Sequence, residues 1–220
     1  MIYFVGDPHF FHENILVFEP KRKEVLGETI ELHDATLVKR INSRVNKPDD
    51  ILIIVGDFSL GHRIREYRDK IACRNVWLII GNHDKNSVSH YYKCGFNVVC
   101  YEMTLKIAGE YVRIRHHPYR KPWYKIIFPW QWREKDRKKR PTNRGSWLIH
   151  GHIHSQQASA VRGKQINVGV DLNKYYPVSM RDIESIIARA KTKPRFWDTI
   201  KKIYKDGYAF SAIYSKRSRR

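Results

Sequence analysis

Cysteine is scarce in this sequence: Cys73, Cys94 and Cys100 are an odd number and form no CxxC pair. That argues against a zinc knuckle and against a disulfide framework, and three reduced thiols are expected. No apolar run approaches the ~18 residues a membrane span needs, and the opening Ile2-Tyr3-Phe4-Val5 reads as a strand rather than a secretory signal. The expectation is a soluble, cytoplasmic protein with no membrane partner. Internal repeats are absent as well. Acidic residues are few beside basic ones, 22 Asp+Glu against 42 Lys+Arg, which leaves a formal charge of +20. A surplus of that size attracts polyanions, with nucleic acid the most abundant candidate, although a compartment that favours basic proteins would produce the same number.

The 220 residues suit one compact core with an appendage, and 42% hydrophobic and 13% aromatic content is that of an ordered domain. A charged fraction of 29% and a mean hydropathy of −0.59 imply a polar surface. Short apolar runs recur, each followed by Gly, Asp, Asn or His. Ile2 to Val5 precedes Gly6-Asp7, Ile51 to Val55 precedes Gly56-Asp57, Val76 to Ile80 precedes Gly81-Asn82, and Trp147 to Ile149 precedes His150-Gly151. Runs of this kind read as strands buried on both faces of a layered α/β domain. Leu32, Ala35, Val38, Ile41 and Val45 recur at helical spacing between the first two strands, and a second helix is expected over 64–72. Stretches 98–101, 104–107 and 111–115 read as antiparallel strands with Gly109 in a hairpin turn, and a further strand lies around 166–170. A closing helix over 178–189 has Ser179 as its N-cap and Asp182 at the capping-box position.

Residues 119–145 break the pattern. Trp123, Tyr124, Phe128, Trp130 and Trp132 lead into the run from Arg133 to Arg140, with little periodicity. This reads as a loop or small subdomain inserted between core strands, either stacking on bases while neutralising phosphates or packing on its own aromatics. The domain is expected over 1–190, with a basic C-terminal extension over 191–220.

Five short motifs sit at the carboxyl ends of expected strands, where ligands bind in open α/β sheets. They are Asp7-Pro8-His9, Gly56-Asp57, Gly81-Asn82-His83-Asp84, His116-His117-Pro118 and Gly151-His152-Ile153-His154. Singly each is weak: Asp-x-His is more often loop chemistry than a ligand pair, and Gly-Asp is too common to carry meaning. In this order, four of them behind strands, they resemble the calcineurin-like metallophosphoesterase superfamily over roughly Ile2 to Val178. The likeness extends to small bacterial and phage members through His9-Phe10-Phe11-His12-Glu13-Asn14-Ile15 and Asn167-Val168-Gly169-Val170-Asp171.

The resemblance implies a four-layer α/β/β/α sandwich holding two divalent metal ions, and a hydrolase that cleaves a phosphomono- or phosphodiester with metal-bound hydroxide. It places Asp7, His9, Asp57 and His154 on one ion, and Asp57, Asn82, His116 and His152 on the other. Asp57 is the bridge that two cations need. Nitrogen and oxygen donors without thiolate put Mn²⁺ first, with Fe or Zn²⁺ as alternatives. The resemblance points His83 at the leaving-group oxygen, where an imidazolium oriented by Asp84 would act as general acid. His12 and Asn82 would contact the substrate, although Phe11 stands where similar members commonly have Gly. His117 competes with His116 for the ligand role, whereas His33, His62, His90 and His150 read as surface or supporting residues. The competing function is a nucleic-acid-binding protein that keeps the fold without physiologically relevant hydrolysis. Monoesterase, diesterase and nuclease remain open among the enzymes.

Overall fold

The computed structural model describes residues 1–61, 63–120 and 140–192. His62, the aromatic-basic stretch 121–139 and the basic extension from 193 onward lie outside the described residues. Met1–Ile183 forms one compact unit and Glu184–Arg220 a second.

Strands β1 (Ile2–Val5), β2 (Ile51–Val55), β3 (Asn75–Ile79) and β4 (Val98–Cys100) run parallel, and β10 (Val178–Ser179) closes the β1 edge antiparallel. Leu52, Ile53, Ile54 and Val55 are all fully buried, so β2 is covered on both faces as its unbroken apolar run requires. Leu52, Ile54, Val76 and Leu78 share one hydrophobic cluster with Leu37, Val38 and Ile41 of helix α3 (Ile30–Arg44), Tyr67 of α4 (Ile64–Lys70) and Tyr91 of α5 (Val88–Lys93). Two short helices, α1 (Ile15–Phe18) and α2 (Lys21–Leu26), fill the connection from β1 to α3.

The second sheet has the order β5 (Glu102–Ile107), β6 (Glu110–Arg115), β7 (Trp147–His150), β9 (Gln165–Asn167), β8 (Val161–Arg162). Its outer pairs are antiparallel and its inner pairs parallel. The sheets touch where Gly6 and Gly169 pair, with Gly6 N donating to Val168 O at 2.8 Å and Val170 N to Gly6 O at 3.1 Å. A Cβ on Gly6 would stand 3.3 Å from the Gly169 backbone, so this seam needs glycine for the approach. The two-sheet α/β sandwich is the architecture the motif order implied.

Some local expectations are corrected. Stretch 98–101 is a parallel strand of the first sheet, not a member of the antiparallel set. On α3, Leu32 and Ala35 lie off the main stripe: Leu32 is exposed, and the buried positions are Ile30, His33, Asp34, Leu37, Val38 and Ile41. His33 is therefore a core residue, its Nδ1 2.8 Å from Asp34 Oδ1. Helix α6 (Met180–Thr192) opens with the anticipated capping box: Asp182 N donates to Ser179 Oγ at 3.2 Å and Ser179 N to Asp182 Oδ2 at 3.0 Å. The described ends of the insert meet, with Arg120 N donating to Pro141 O at 2.8 Å. Among the described residues no helix is long and apolar enough to cross a membrane.

Candidate metal centre

The carboxyl ends of β1, β2, β3, β6 and β7 deliver Asp7, Asp57, Asn82, His116 and His152 to one place. The backbone there is unusual. Asp7, His9, Asp57, His152 and His154 all have positive φ, between 42° and 72°. Such a conformation costs of order 1–3 kcal/mol for a residue with a side chain and persists only where surrounding structure over-determines it. The determining bonds are visible. His9 N donates to Asp57 O at 3.0 Å, Asp7 N to Gly56 O at 3.2 Å, and His152 N to both Asp7 carboxylate oxygens at 2.9 Å.

The motif glycines now have a reason. A Cβ at Gly81 would run into the Asp57 carboxylate, one at Gly151 into the Asp7 carboxylate, and one at Gly56 into the His116 ring. Each neighbour is a group the site cannot move without losing its geometry.

Two donor sets form around the two aspartates. Asp7, His9 and His154 offer atoms within 4.8 Å of one another, and so do Asp7, Asp57 and His116. Asp57 Oδ2 lies 3.2 Å from His116 Nε2 and 3.6 Å from His9 Nε2, and Asp7 belongs to both sets. Asn82 Oδ1 joins on the second side at 2.9 Å from His116 Nε2. His152 is brought to the same side, its ring centroid 5.0 Å from that of His116. His117 belongs to a third donor set with His116 and His152, so the histidine motif supplies two rings to this side rather than one.

The electrostatics suit a cation. Burial raises the Asp7 carboxyl despite the nearby His154 and His116. Burial likewise opposes charge on Asp57, but the charge and hydrogen bond of His116 outweigh it and hold that carboxyl well below the usual range. His116 is pushed up to about 9: burial works against its charge, and the charge and hydrogen bond of Asp57, with Asp7 and the Val55 carbonyl, overcome it. His9 is held well below its ordinary value, chiefly by burial, and its buried Nε2 makes no hydrogen bond. An orphaned imidazole nitrogen facing a shared carboxylate is what a metal ligand atom looks like. Two buried carboxylates, an amide oxygen and several imidazoles, with no thiolate, suit divalent ions such as Mn²⁺, Fe or Zn²⁺.

His83 and His12 stand on the half-buried side of His9, with ring centroids 5.3 and 5.4 Å from it. His83 N donates to Asp57 Oδ1 at 2.8 Å, which fixes the backbone, and the residue is half-buried. Burial, then His83, lowers His12. Asp84 does not partner His83. Its carboxylate accepts the N–H groups of Asp57, Phe58 and Gly81 at 2.8–3.0 Å, tying the β2 loop to the β3 loop. Burial and Asp57 raise its carboxyl to about 6 against those donors. These three backbone bonds take up most of its acceptor capacity. Phe11 has φ 57°, its N–H held by Asp34 Oδ2 at 2.9 Å and its ring under the Arg63 guanidinium at 4.5 Å. The loop keeps the shape that glycine would permit, with Asp34 and Arg63 opposing the strain.

Two supporting residues are invisible in the local sequence pattern. Arg22 is fully buried in α2 and grips Asp171 at 2.7 and 2.8 Å, while donating to the carbonyls of Asp7 and Pro8 at 2.9 and 3.1 Å. Asp171 Oδ2 in turn meets His154 Nδ1 at 2.9 Å. Asp171 at least closes the Asn167-to-Asp171 motif, but Arg22 sits in a Lys-Arg-Lys run that looks like solvated surface.

The family model for calcineurin-like phosphoesterase matches residues 1–182. The chain is 30% identical over 192 residues to the gene 66 protein of Mycobacterium phage L5, covering 77% of this chain and 86% of that protein. It is 27% identical over 198 residues to the uncharacterized protein MJ1445 of Methanocaldococcus jannaschii, covering 86% and 93% respectively. Among solved structures, the protein of unknown function AQ665 from Aquifex aeolicus aligns with a TM-score of 0.61 at 27% identity, over 84% of this chain and 98% of that one.

Proposed function

The chain belongs to the calcineurin-like phosphoesterase family, and on that premise we propose that it is a two-metal hydrolase of phosphomono- or phosphodiesters. One observation carries the reading: Asp57 Oδ2 lies 3.6 Å from His9 Nε2 and 3.2 Å from His116 Nε2, so a single carboxylate is within reach of a histidine of each donor set. Asp7, His9, Asp57 and His154 would hold one divalent ion, and Asp57, Asn82, His116 and His152 the other, with His117 beside the second set. Two cations there, Mn²⁺ ahead of Fe or Zn²⁺, would offset the charge of the phosphoryl oxygens and make water nucleophilic at neutral pH.

The chain's own residues would do the rest. His83, anchored through its backbone to Asp57, donates a proton to the leaving oxygen, and His12 contacts a phosphoryl oxygen from the same side. Asp84 sets the spacing of the Asp57 and Gly81 loops rather than the tautomer of His83. Arg22 and Asp171 orient His154 and brace the Asp7 backbone. The positive φ angles are stored where an ion would stabilise the converged side chains.

A nucleotide-containing substrate fits the formal charge of +20. The same charge favours a second reading, nucleic-acid binding without relevant hydrolysis. The discriminating experiment incubates the Mn²⁺-loaded protein with p-nitrophenyl phosphate, bis-p-nitrophenyl phosphate, cyclic nucleotides, and single- and double-stranded DNA and RNA. Turnover of at least one ester supports the hydrolase. Nucleic-acid binding with no turnover of any ester selects the binder.

A further inference from the structure

A cavity of about 530 Å³ has Arg113, Arg115, Arg140, Arg144 and Glu102 in its lining. Among the described residues, four guanidinium groups share this lining with one carboxylate. Glu102 is divided between Arg113, at 2.5 Å to Nε, and Arg115, at 3.1 Å to Nη1, and so orients two of the arginines. Arg115 immediately precedes His116 and also lines a second cavity, of about 410 Å³, together with Asn82, His116 and Tyr101. Arg115 thus lines both cavities, one residue before the candidate ligand His116. Tyr101, in the lining of the second cavity, is 65% exposed.

The geometry points to a second anion subsite: the Arg113–Arg115–Arg140–Arg144 cleft takes a further phosphate of the substrate whose reacting ester lies at the metal centre, and that substrate is a nucleic-acid strand. The proposal rests on the phosphoesterase reading above and names its substrate class. Guanidinium forks match phosphate oxygens two at a time, which makes arginine rather than lysine the natural lining for a phosphate cleft. Arg113 and Arg115 lie on the same face of β6, about 7 Å apart at the strand repeat, of the order of one nucleotide step. Tyr101, an exposed aromatic that lines the second cavity with Arg115 and Asn82, is available to stack on a base, an interaction indifferent to sequence. A small monophosphate would use the metal centre and leave this cleft empty. A strand uses both.

The test starts with the metal-free protein, which isolates the cleft from catalysis. Binding of labelled single-stranded 12-mers is followed at two salt concentrations for the wild type, for Arg144→Ala and Arg144→Glu, and for Lys39→Ala, an exposed lysine that lines neither cavity. Arg144 is itself exposed, so its replacement spares the core. Arg144→Ala should weaken binding roughly threefold to tenfold and lower the salt slope by about one, with a larger loss in Arg144→Glu and less than about twofold in Lys39→Ala. In the Mn²⁺-loaded enzyme, the ratio of kcat/KM for an oligonucleotide to that for bis-p-nitrophenyl phosphate should fall by a similar factor. Equal losses in Arg144→Glu and Lys39→Ala, or a nucleoside 3′,5′-bisphosphate competing as tightly as the 12-mer, would overturn the proposal. Failure of the wild type to turn over bis-p-nitrophenyl phosphate would count against the phosphoesterase reading instead, and the binding comparison would then decide the cleft by itself.

Discussion

Asp171 Oδ2 lies 2.9 Å from His154 Nδ1, and the same carboxylate is gripped by the fully buried guanidinium of Arg22. The pairing leaves Nε2 of His154 for the site, next to Asp7 and His9. A carboxylate behind a ligand histidine fixes its orientation and raises its basicity, and a buried arginine keeps that carboxylate charged.

Asp171→Asn is therefore expected to weaken the ion held by Asp7, His9 and His154 by ~10–100-fold while leaving the fold in place. Arg22→Met strips a buried carboxylate of its main partner and should cost about 3–5 kcal/mol in urea unfolding of the metal-free protein. Titration calorimetry and denaturation separate the two effects. Wild-type metal affinity in Asp171→Asn would remove this carboxylate from the centre.

Metal binding should depend on pH through His116, which is pushed up to about 9 by Asp57 once that attraction overcomes burial. An imidazolium must lose its proton to become a ligand, so affinity at this side should rise with pH until about 9. In the metal-free protein the sign reverses for stability. The raised His116 contributes fully below its unfolded value of about 6.5 and loses that contribution as pH climbs toward the folded value. The depressed Asp57 contributes above about 3.9 and loses it in acid. Calorimetry in buffers of different ionisation enthalpy counts the released protons. No proton release at about pH 7 would contradict a protonated His116.

His83→Ala should keep its metals and slow esters with alkoxide leaving groups by ~10²–10⁴, with a smaller loss for activated aryl esters that hardly need protonation. The informative quantity is the ratio of the two losses. Because Asp84 is spent on three backbone N–H groups, Asp84→Asn should disturb the β2 and β3 loops and metal retention. A change confined to the alkaline limb of the rate profile, where a general acid loses its proton, would instead restore Asp84 as the partner of His83.

Much of the fold and most of the donor set were legible in the sequence because both depend on local signals. Apolar runs ending in Gly-Asp, Gly-Asn-His and Gly-His-x-His mark strands that stop at a site, and the glycines prove to be contacts with Asp57, Asp7 and His116. What was illegible depends on who meets whom across the chain. Arg22 and Asp171 are 149 positions apart, and nothing in Lys21-Arg22-Lys23 distinguishes a buried arginine from its solvated neighbours. Asp84 follows His83 in sequence, yet its carboxylate turns toward the backbone 27 positions away. The arginine cleft gathers side chains from β5, β6 and the end of the insert, and no window of sequence contains it.

The most direct measurement is metal content and hydrolysis in Asp57→Asn beside the wild type, by elemental analysis and bis-p-nitrophenyl phosphate turnover on the same samples. Asp57 Oδ2 lies 3.6 Å from His9 Nε2 and 3.2 Å from His116 Nε2, and as the proposed bridge its amide should retain the fold but lose at least one ion, and hydrolysis with it. Two ions per chain in the wild type, with fewer ions and no turnover in the variant, are the expected result. Two ions and full activity in Asp57→Asn would contradict the bridged centre.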